Sequence, residues 1–286
     1  MHRFMLGHGG DGRIAFERAA VLAREAGDEA VERAALASNL RPIAYGPTPA
    51  EEGIAFCDSL AESDVVNVAD KAHALQVRAL LLAMAGDFDG SRSSSAGARA
   101  LIEEFELTLQ RGIYAIDVGL AELVAGDLDR SERELREGHD LLVEIGDTGV
   151  RSSLDAILSD VLFLLGRDDE ALVFAEASRT AGAIDDLDSQ PRWRGARARV
   201  LARRGEHEEA LELVGEALAL LEPTDFIGQH AYVCDVHGEV LTASGRPAEA
   251  VAAVERAIAF HEQKGNVVSA ARSRAVLDEL RTMRPS

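Results

Sequence analysis

Small residues recur along this chain of 286 residues at spacings that suit paired helices. Between residues 192 and 217 they stand at Ala198, Gly205, Ala210 and Ala217, in steps of 7, 5 and 7. We call such a set of four small residues a ladder and each of its members a rung. The ladder occurs five times, and its second rungs, the turn glycines, lie 40, 40, 39 and 40 residues apart. Such a period with two helical patterns per unit is typical of an α-solenoid. The other four sets are Ala79/Gly86/Ser91/Ala98, Gly119/Gly126/Ser131/Gly138, Ser159/Gly166/Ala171/Ser178 and Gly238/Gly245/Ala250/Ala257.

Helix geometry explains why small residues stand at these positions. Seven residues make about two helical turns, so the paired rungs of one helix lie on the same face. Small side chains there let two antiparallel helices approach closely, and the turn glycine supplies the positive φ that ends a helix. Acidic residues after the glycines, such as Asp87 and Asp127, are interpreted as the starts of the second helices.

The ladder predicts an all-α fold, a right-handed solenoid of about six to seven helical hairpins. We expect irregular N-terminal repeats over residues 1–66, five regular repeats over 67–264 and a solvated capping helix over 265–286. Within the irregular part, one helix is expected from about Glu29 to Ile43. Gly7 precedes Gly46 by 39 residues, which suggests that the chain begins inside a repeat.

Composition limits the classes of partner. The formal net charge of −20 disfavours direct binding to nucleic acid or to anionic lipid without a basic patch. No apolar run is long enough to span a membrane, so a cytoplasmic location is the default expectation. The two cysteines, Cys57 and Cys234, are 177 residues apart and are expected to be free thiols in a reducing compartment.

The sequence has only weak motifs for metal binding, phosphorylation or catalysis. His230, Cys234 and His237 share one helical face, but a structural metal site needs a fourth ligand and packing is the favoured interpretation. A serine run at Ser91 and Ser93–Ser95 allows phosphorylation, although small-residue packing is favoured. There is no GxSxG motif and no phosphate-binding loop. We therefore predict no enzyme activity, no cofactor and no metal.

The ladder resembles tetratricopeptide repeats, which carry Gly, Gly, Ala and Ala at the same 7-5-7 spacing. The unit here is longer than theirs, and Leu75, Ala115, Asp155 and Arg194 replace their signature tryptophan. Four segments are also similar to the C-terminal repeat region of bacterial multidomain proteins that carry a nucleotide cyclase and an AAA-type ATPase. These segments are Tyr45–Glu52, Trp193–Gly205, Thr224–Phe226 and Lys264–Ala271. The resemblance implies a regulatory repeat module and carries over none of the cyclase or ATPase chemistry.

In tetratricopeptide-like solenoids the first helix of each repeat lines a concave groove. This resemblance assigns to the groove His73, Gln76, Ile113, Ile116, Leu120, Asp160, Arg192, Arg199, Arg203, Tyr232, Asp235 and Glu239. The isoleucines and Leu120 are expected to form an exposed apolar strip. The three arginines suggest a clamp for carboxylate or phosphate, but pairing with acidic residues of neighbouring repeats is the favoured alternative.

Three hypotheses for function follow. The favoured one is a non-catalytic scaffold of bacterial signalling or transcription machinery that binds a protein or peptide in the groove. The alternative is a small-molecule sensor whose effector sits in the groove. A weaker third hypothesis is a homodimer formed through an uncapped N-terminal end.

Overall fold

A computed structural model of the chain describes residues 7–282, which are helical and contain no strand. The N-terminal part has α1 (Gly9–Ala26), α2 (Glu29–Ser38), α3 (Leu40–Tyr45) and α4 (Ala50–Glu62). Five hairpins and a closing helix follow. They are α5 (Val68–Met84) with α6 (Phe88–Glu104), α7 (Thr108–Ala125) with α8 (Leu128–Glu144), α9 (Gly149–Leu164) with α10 (Asp168–Ala181), α11 (Gln190–Arg203) with α12 (His207–Leu221), α13 (Ile227–Ala243) with α14 (Pro247–Lys264), and α15 (Val267–Thr282).

The ladder works as its spacing predicts. The five turn glycines have φ between 72° and 88°, the left-handed conformation that ends the first helix of each hairpin. The other rungs are buried, and a Cβ on Gly138 would lie 2.3 Å from the Cβ of Ala115. The Ser131 hydroxyl donates to the Gly119 carbonyl oxygen across the hairpin at 2.7 Å. The expected all-α solenoid is confirmed.

Helix boundaries follow from local chemistry, with one difference from expectation. Asp87 and Asp127 cap the second helices of their repeats through hydrogen bonds from the amides of Gly90 and Arg130. The single helix expected from Glu29 to Ile43 is wrong, because the chain breaks at Asn39 into α2 and α3. Pro42, in α3 just after the break, has no amide hydrogen, so it cannot donate to the carbonyl oxygen of Ser38 as a continuous helix would require.

The two halves of the chain meet, which a simple stack of neighbouring repeats does not require. At the start of α1, the amides of Gly9 and Gly10 donate to the Asp225 carboxylate at 2.5 and 2.8 Å. In α15, exposed Arg272 donates to the carbonyl oxygen of Val124 at 2.7 Å. The closing helix is therefore more than a solvated cap, since it joins the last repeats to α7. None of the helices formed by residues 7–282 has the length and apolar character needed to cross a membrane.

Candidate binding surfaces

The inner face of the solenoid is lined by the first helices, and its polar residues pair with one another. Asp160 of α9 is 1% exposed. It accepts hydrogen bonds from Tyr232 at 2.6 Å, from Arg192 at 2.9 Å and from Arg199 at 3.2 Å. Arg199 also makes two hydrogen bonds of 2.8 Å to Glu239. Burial and the Asp160 charge raise the pKa of Tyr232, so its hydroxyl stays a donor.

The arginines are thus engaged across repeats, as the favoured interpretation of their pattern held. Arg203, the most exposed of the three, pairs with Asp168 at 2.6 Å and lies 3.7 Å from the centre of the Phe163 ring. Because Arg192 and Arg199 already have carboxylate partners in a buried network, they are not an open clamp for a ligand.

The short helix α3 lies against the inner face of the distant repeats. Arg41 pairs with Asp188 in the loop before α11, and the Tyr45 hydroxyl donates to Asp117 of α7 at 2.6 Å. Asp117 is buried, and this burial raises the pKa of its carboxyl group to about 6. Part of the groove is therefore occupied by the chain itself.

The expected exposed apolar strip is wrong. Ile116 and Leu120 are 5% and 8% exposed and belong to one hydrophobic cluster with Leu80 and Leu158. Tyr45 of α3 packs against this cluster, so the neighbouring first helices and α3 together cover it. Ile113 is half-buried.

The remaining groove candidates differ in exposure. Gln76 is fully buried, His73 and Asp235 are half-buried, and Glu239 is exposed. Burial and the charge of Arg41 lower the pKa of His73 to about 4. Asp235 binds His261 at 2.8 Å and Ser273 at 2.7 Å.

Lys264 closes the seam between the last hairpin and the N-terminal part. The residue is 2% exposed, and its ammonium donates to the carbonyl oxygens of Ile43, Gly46 and Thr48 at 2.5, 3.1 and 2.8 Å. These carbonyls stand at and just after the C-terminal end of α3, where a cation complements the helix dipole. Burial lowers the pKa of Lys264 to about 7.

Beside this seam lies a cavity of about 160 Å³, which we call the seam cavity. One wall is apolar and comes from α5 and α7, with Leu80, Met84 and Leu120 among its residues. Most of the remaining lining comes from α13, α14 and α15. Its side chains include Gln229, Tyr232, Asp235, His261, Lys264 and Arg272.

A second surface runs along the loops that join successive repeats. Phe105 and Ile145 occupy equivalent positions in two consecutive loops, directly after α6 and α8. Ile184 lies in the third loop, one residue before the equivalent position. The three side chains are 49%, 43% and 87% exposed. Leu109 and Val143, next to the first two, are each 48% exposed. Exposed acidic residues flank them. We call this surface the loop rim, and its acidic members are Glu103, Glu104, Glu106, Glu144 and Asp185.

Glu106 has an unusual backbone within the loop rim. It is the one non-glycine residue with positive φ in the described chain, at 51°. The equivalent residue of the next loop is Gly146, with φ 72°. A side chain in the left-handed region costs about 1 kcal/mol or more, so the first loop carries an acidic group at an energetic cost.

The two cysteines are free, as expected, and both are buried. Burial raises the pKa of Cys57 to about 12 and that of Cys234 to about 11, which makes both thiols poor nucleophiles. His230 stacks on Phe260 with ring centres 4.9 Å apart. Within residues 7–282, no group of three or more His, Cys, Asp or Glu side chains is arranged to hold a metal ion.

Comparisons with known proteins agree on the architecture alone. No protein-family model and no curated protein matches the sequence. Among solved structures, the Cut9 assembly in "APC/C hetero-tetramer Cut9-Hcn1" has a TM-score of 0.62 at 12% identity, over 95% of this chain and 47% of that chain. The fold is a tetratricopeptide-like solenoid.

Two further structures support this tetratricopeptide-like fold. A Rap protein complexed with competence and sporulation factor has a TM-score of 0.57 at 11% identity, covering 94% of this chain and 85% of that one. A signal transduction ATPase with a tetratricopeptide repeat sensor, from Pyrococcus horikoshii, has a TM-score of 0.58 at 13% identity, over 93% and 45%. This chain thus spans about half the length of the first and last of these proteins. The expected likeness to tetratricopeptide repeats is confirmed at the level of fold.

Sequence reasoning missed the seam and the loop rim. The seam depends on contacts such as Lys264 with Thr48, which no local pattern marks. The loop rim has a signal that comparison of the three loop sequences reveals. The stretches around Phe105, Ile145 and Ile184 read EEFE, EIGD and AIDD, an apolar residue beside acids each time.

Proposed function

We propose that this chain is a non-catalytic protein-binding module that docks a basic amphipathic segment of a partner on the loop rim. The observation that carries the proposal is the alternation of exposed apolar and acidic side chains on three consecutive loops. Apolar patches exposed in this way mark interaction surfaces, and the carboxylates beside them favour a partner with lysine or arginine next to its apolar residues.

Continuity with an internal contact supports this choice. The loop of the following repeat, residues 222–226, is covered by the chain's own N-terminal segment. Gly7 lies against Thr224 and Leu187, its carbonyl oxygen accepts from the Asp225 amide at 2.8 Å, and Asp225 binds the amides of α1. The same row of loops therefore already receives a polypeptide segment at one position.

The structural neighbours are compatible with this role. The Rap protein is complexed with a peptide factor and Cut9 with Hcn1, so solenoids of this shape hold other polypeptides. The likeness to a signalling ATPase with a repeat sensor favours a regulatory context, such as signalling or transcription machinery.

Of the residues expected in the concave groove, we retain only the exposed Arg203 and Glu239 as proposed contacts for a partner. Arg192, Arg199 and Asp160 serve as the framework that holds α9, α11 and α13 together. A partner segment that entered the groove further would have to displace α3.

The test compares three proteins as baits in the source lysate. One is the wild type, one carries Phe105→Ser, Ile145→Ser and Ile184→Ser, and the matched control carries Val21→Ser, Val173→Ser and Val276→Ser, at exposed valines away from the loops. We expect a partner retained by the wild type and the control and lost by the rim variant. A synthetic peptide of its basic amphipathic segment should reproduce the difference. Equal retention by all three, or a partner segment without basic residues, would refute docking on the loop rim.

A small-molecule sensor is the second candidate, and the seam cavity favours it. A ligand held there would touch both the N-terminal and the C-terminal halves of the chain, so binding would stiffen their contact. A saturable rise in melting temperature with an effector would support this candidate.

Self-association stays a third proposal. The described start of the chain is packed on Asp225, so the surface available for it is the outer face of α1, where Ile14, Val21 and Leu22 are exposed.

A further inference from the structure

The seam cavity has a lining whose charge differs from that of the whole protein. The chain has a formal net charge of −20, yet the cavity lining contains Arg192, Lys264 and Arg272 against one carboxylate, Asp235. Arg192 is neutralised by Asp160. Lys264 and Arg272 bind only backbone carbonyl oxygens within the described residues. Arg272, a permanent cation without a carboxylate partner, favours an anionic group in the cavity.

Arg272 is the better anchor of the two cations. Its two terminal nitrogens donate to the carbonyl oxygens of Leu123 and Val124. A guanidinium has more donors than these two bonds use, and its planar fork matches a carboxylate. The three donors of Lys264 are all engaged, and with its pKa lowered to about 7 it is only partly charged near neutral pH.

The cavity lining also contains acceptors for a hydrogen-bond donor. Gln229 is 5% exposed, its Nε2 donates to the Asp188 carbonyl oxygen at 3.0 Å, and its Oε1 has no hydrogen-bond partner. A buried acceptor left in this way is costly unless a donor reaches it. Asp235, although bound to His261 and Ser273, has acceptor positions left, because a carboxylate offers about four.

The apolar part of the lining and the cavity volume limit the body of the ligand. Leu80, Met84 and Leu120 offer an apolar surface to the ligand. The volume of about 160 Å³ resembles that of cavities that hold a benzene-sized group, about 150 Å³. A suitable ligand therefore has a small apolar body, a carboxylate and a cationic hydrogen-bond donor.

We propose that the seam cavity binds a free α-amino acid with an aliphatic side chain, such as leucine. Its carboxylate meets Arg272 near Lys264, its ammonium meets Gln229 Oε1 and Asp235, and its side chain packs on Leu80, Met84 and Leu120. This inference rests on the small-molecule candidate above and is independent of docking on the loop rim. Because the ligand spans both sides of the seam, its binding strengthens the contact between the two halves of the chain.

The test uses the full chain, freed of amino acids by dialysis, in titration calorimetry with three probes of matched shape. Leucine has both charged groups, 4-methylpentanoate lacks the ammonium, and 3-methylbutylamine lacks the carboxylate. For a ligand of this size we expect leucine to bind with a Kd on the order of 0.1–1 mM. Each of the other two should bind at least about tenfold more weakly.

Variants locate the site. Arg272→Gln keeps an amide donor near the Val124 carbonyl but removes the charge, and it should weaken leucine binding by about tenfold or more. Arg274→Gln, on the same helix but exposed and paired with Glu262, should leave it unchanged. Ser269 lines the cavity, so Ser269→Trp should fill it and abolish binding. Ala271→Trp, at an exposed position of the same helix, should leave binding unchanged. No binding of leucine at millimolar concentration to folded wild type, or equal binding of all three probes, would overturn the proposal. Neither result would bear on partner capture by the loop rim.

Discussion

The ammonium of Lys264 lies 2.8 Å from the carbonyl oxygen of Thr48, a residue 216 positions earlier in the chain. With Ile43 and Gly46 it completes a set of three carbonyl acceptors that ends α3. The contact joins the last complete hairpin of the solenoid to the N-terminal part, and it fixes α3 against the inner face.

Replacing Lys264 with methionine should therefore open the seam. The buried carbonyls would lose their donor, and each unsatisfied group costs about 1–3 kcal/mol. We expect the free energy of unfolding to fall by about 3 kcal/mol in urea. Amide exchange should rise in residues 40–48 and stay low in α9 and α10. Lys71→Met, at a half-buried lysine of α5, is the control and should change little. Unchanged exchange at 40–48 in Lys264→Met would show that this contact does not hold α3.

The framework around Asp160 predicts different roles for two nearby arginines. Arg199→Ala would break a bond to buried Asp160 and a more exposed pair with Glu239. We expect it to cost about 2–3 kcal/mol of unfolding free energy. Arg203→Ala removes an exposed pair with Asp168 and should cost about 1 kcal/mol or less. Thermal or urea unfolding measures both. Equal losses would mean that the buried network contributes no more than a surface ion pair.

Much of the fold follows from residues close in sequence. The turn glycines, the small rungs such as Gly138 and the caps at Asp87 and Asp127 act within one hairpin, so their spacing predicts it. Apart from the break at Asn39, the errors concern contacts between distant segments. Leu120 has the helical position of a groove residue, but the next first helix and α3 cover it. No sequence pattern around Lys264, at the end of α14, indicates the carbonyl oxygens that it binds. The loop rim was within reach of sequence comparison, because an apolar residue beside acids occurs in each of three consecutive loops, at Phe105, Ile145 and Ile184.

Glu106 and Gly146 form a reciprocal pair of tests for backbone strain. Glu106→Gly should stabilise the protein by about 1 kcal/mol, because glycine adopts positive φ without a Cβ penalty. Gly146→Ala should destabilise it by a similar amount, although a Cβ at Gly146 has open space around it. If both substitutions leave the melting temperature unchanged, the left-handed conformation of these loops carries no strain.

His73 should make stability depend on pH. Its pKa is lowered from the ordinary 6.5 to about 4 by burial and by Arg41, so the unfolded chain binds the proton more readily. Stability from this group is complete above pH 6.5 and is lost as the pH falls from 6.5 towards 4, by at most about 1.4 kcal/mol per pH unit. Asp117, whose pKa is raised, acts in the opposite direction.

The informative quantity is therefore the difference between wild type and His73→Gln, in which the contribution of Asp117 cancels. Urea unfolding at pH 7 and pH 4.5 should show that the wild type loses more stability than the variant on acidification. Equal losses of stability on acidification in the two proteins would mean that residue 73 holds no buried neutral imidazole.

The most direct test of the account is whether the loop rim binds a basic amphipathic segment through its apolar residues as well as its charge. A fluorescent helical peptide with lysine on one face and leucine on the other would be titrated by anisotropy at physiological ionic strength. The proteins are the wild type, the variant serine-substituted at Phe105, Ile145 and Ile184, and the control substituted at Val21, Val173 and Val276. All three carry the same net charge. The account predicts that the rim variant binds at least about tenfold more weakly, while the control matches the wild type. Equal affinity for all three would show general attraction to an acidic protein and would contradict the account.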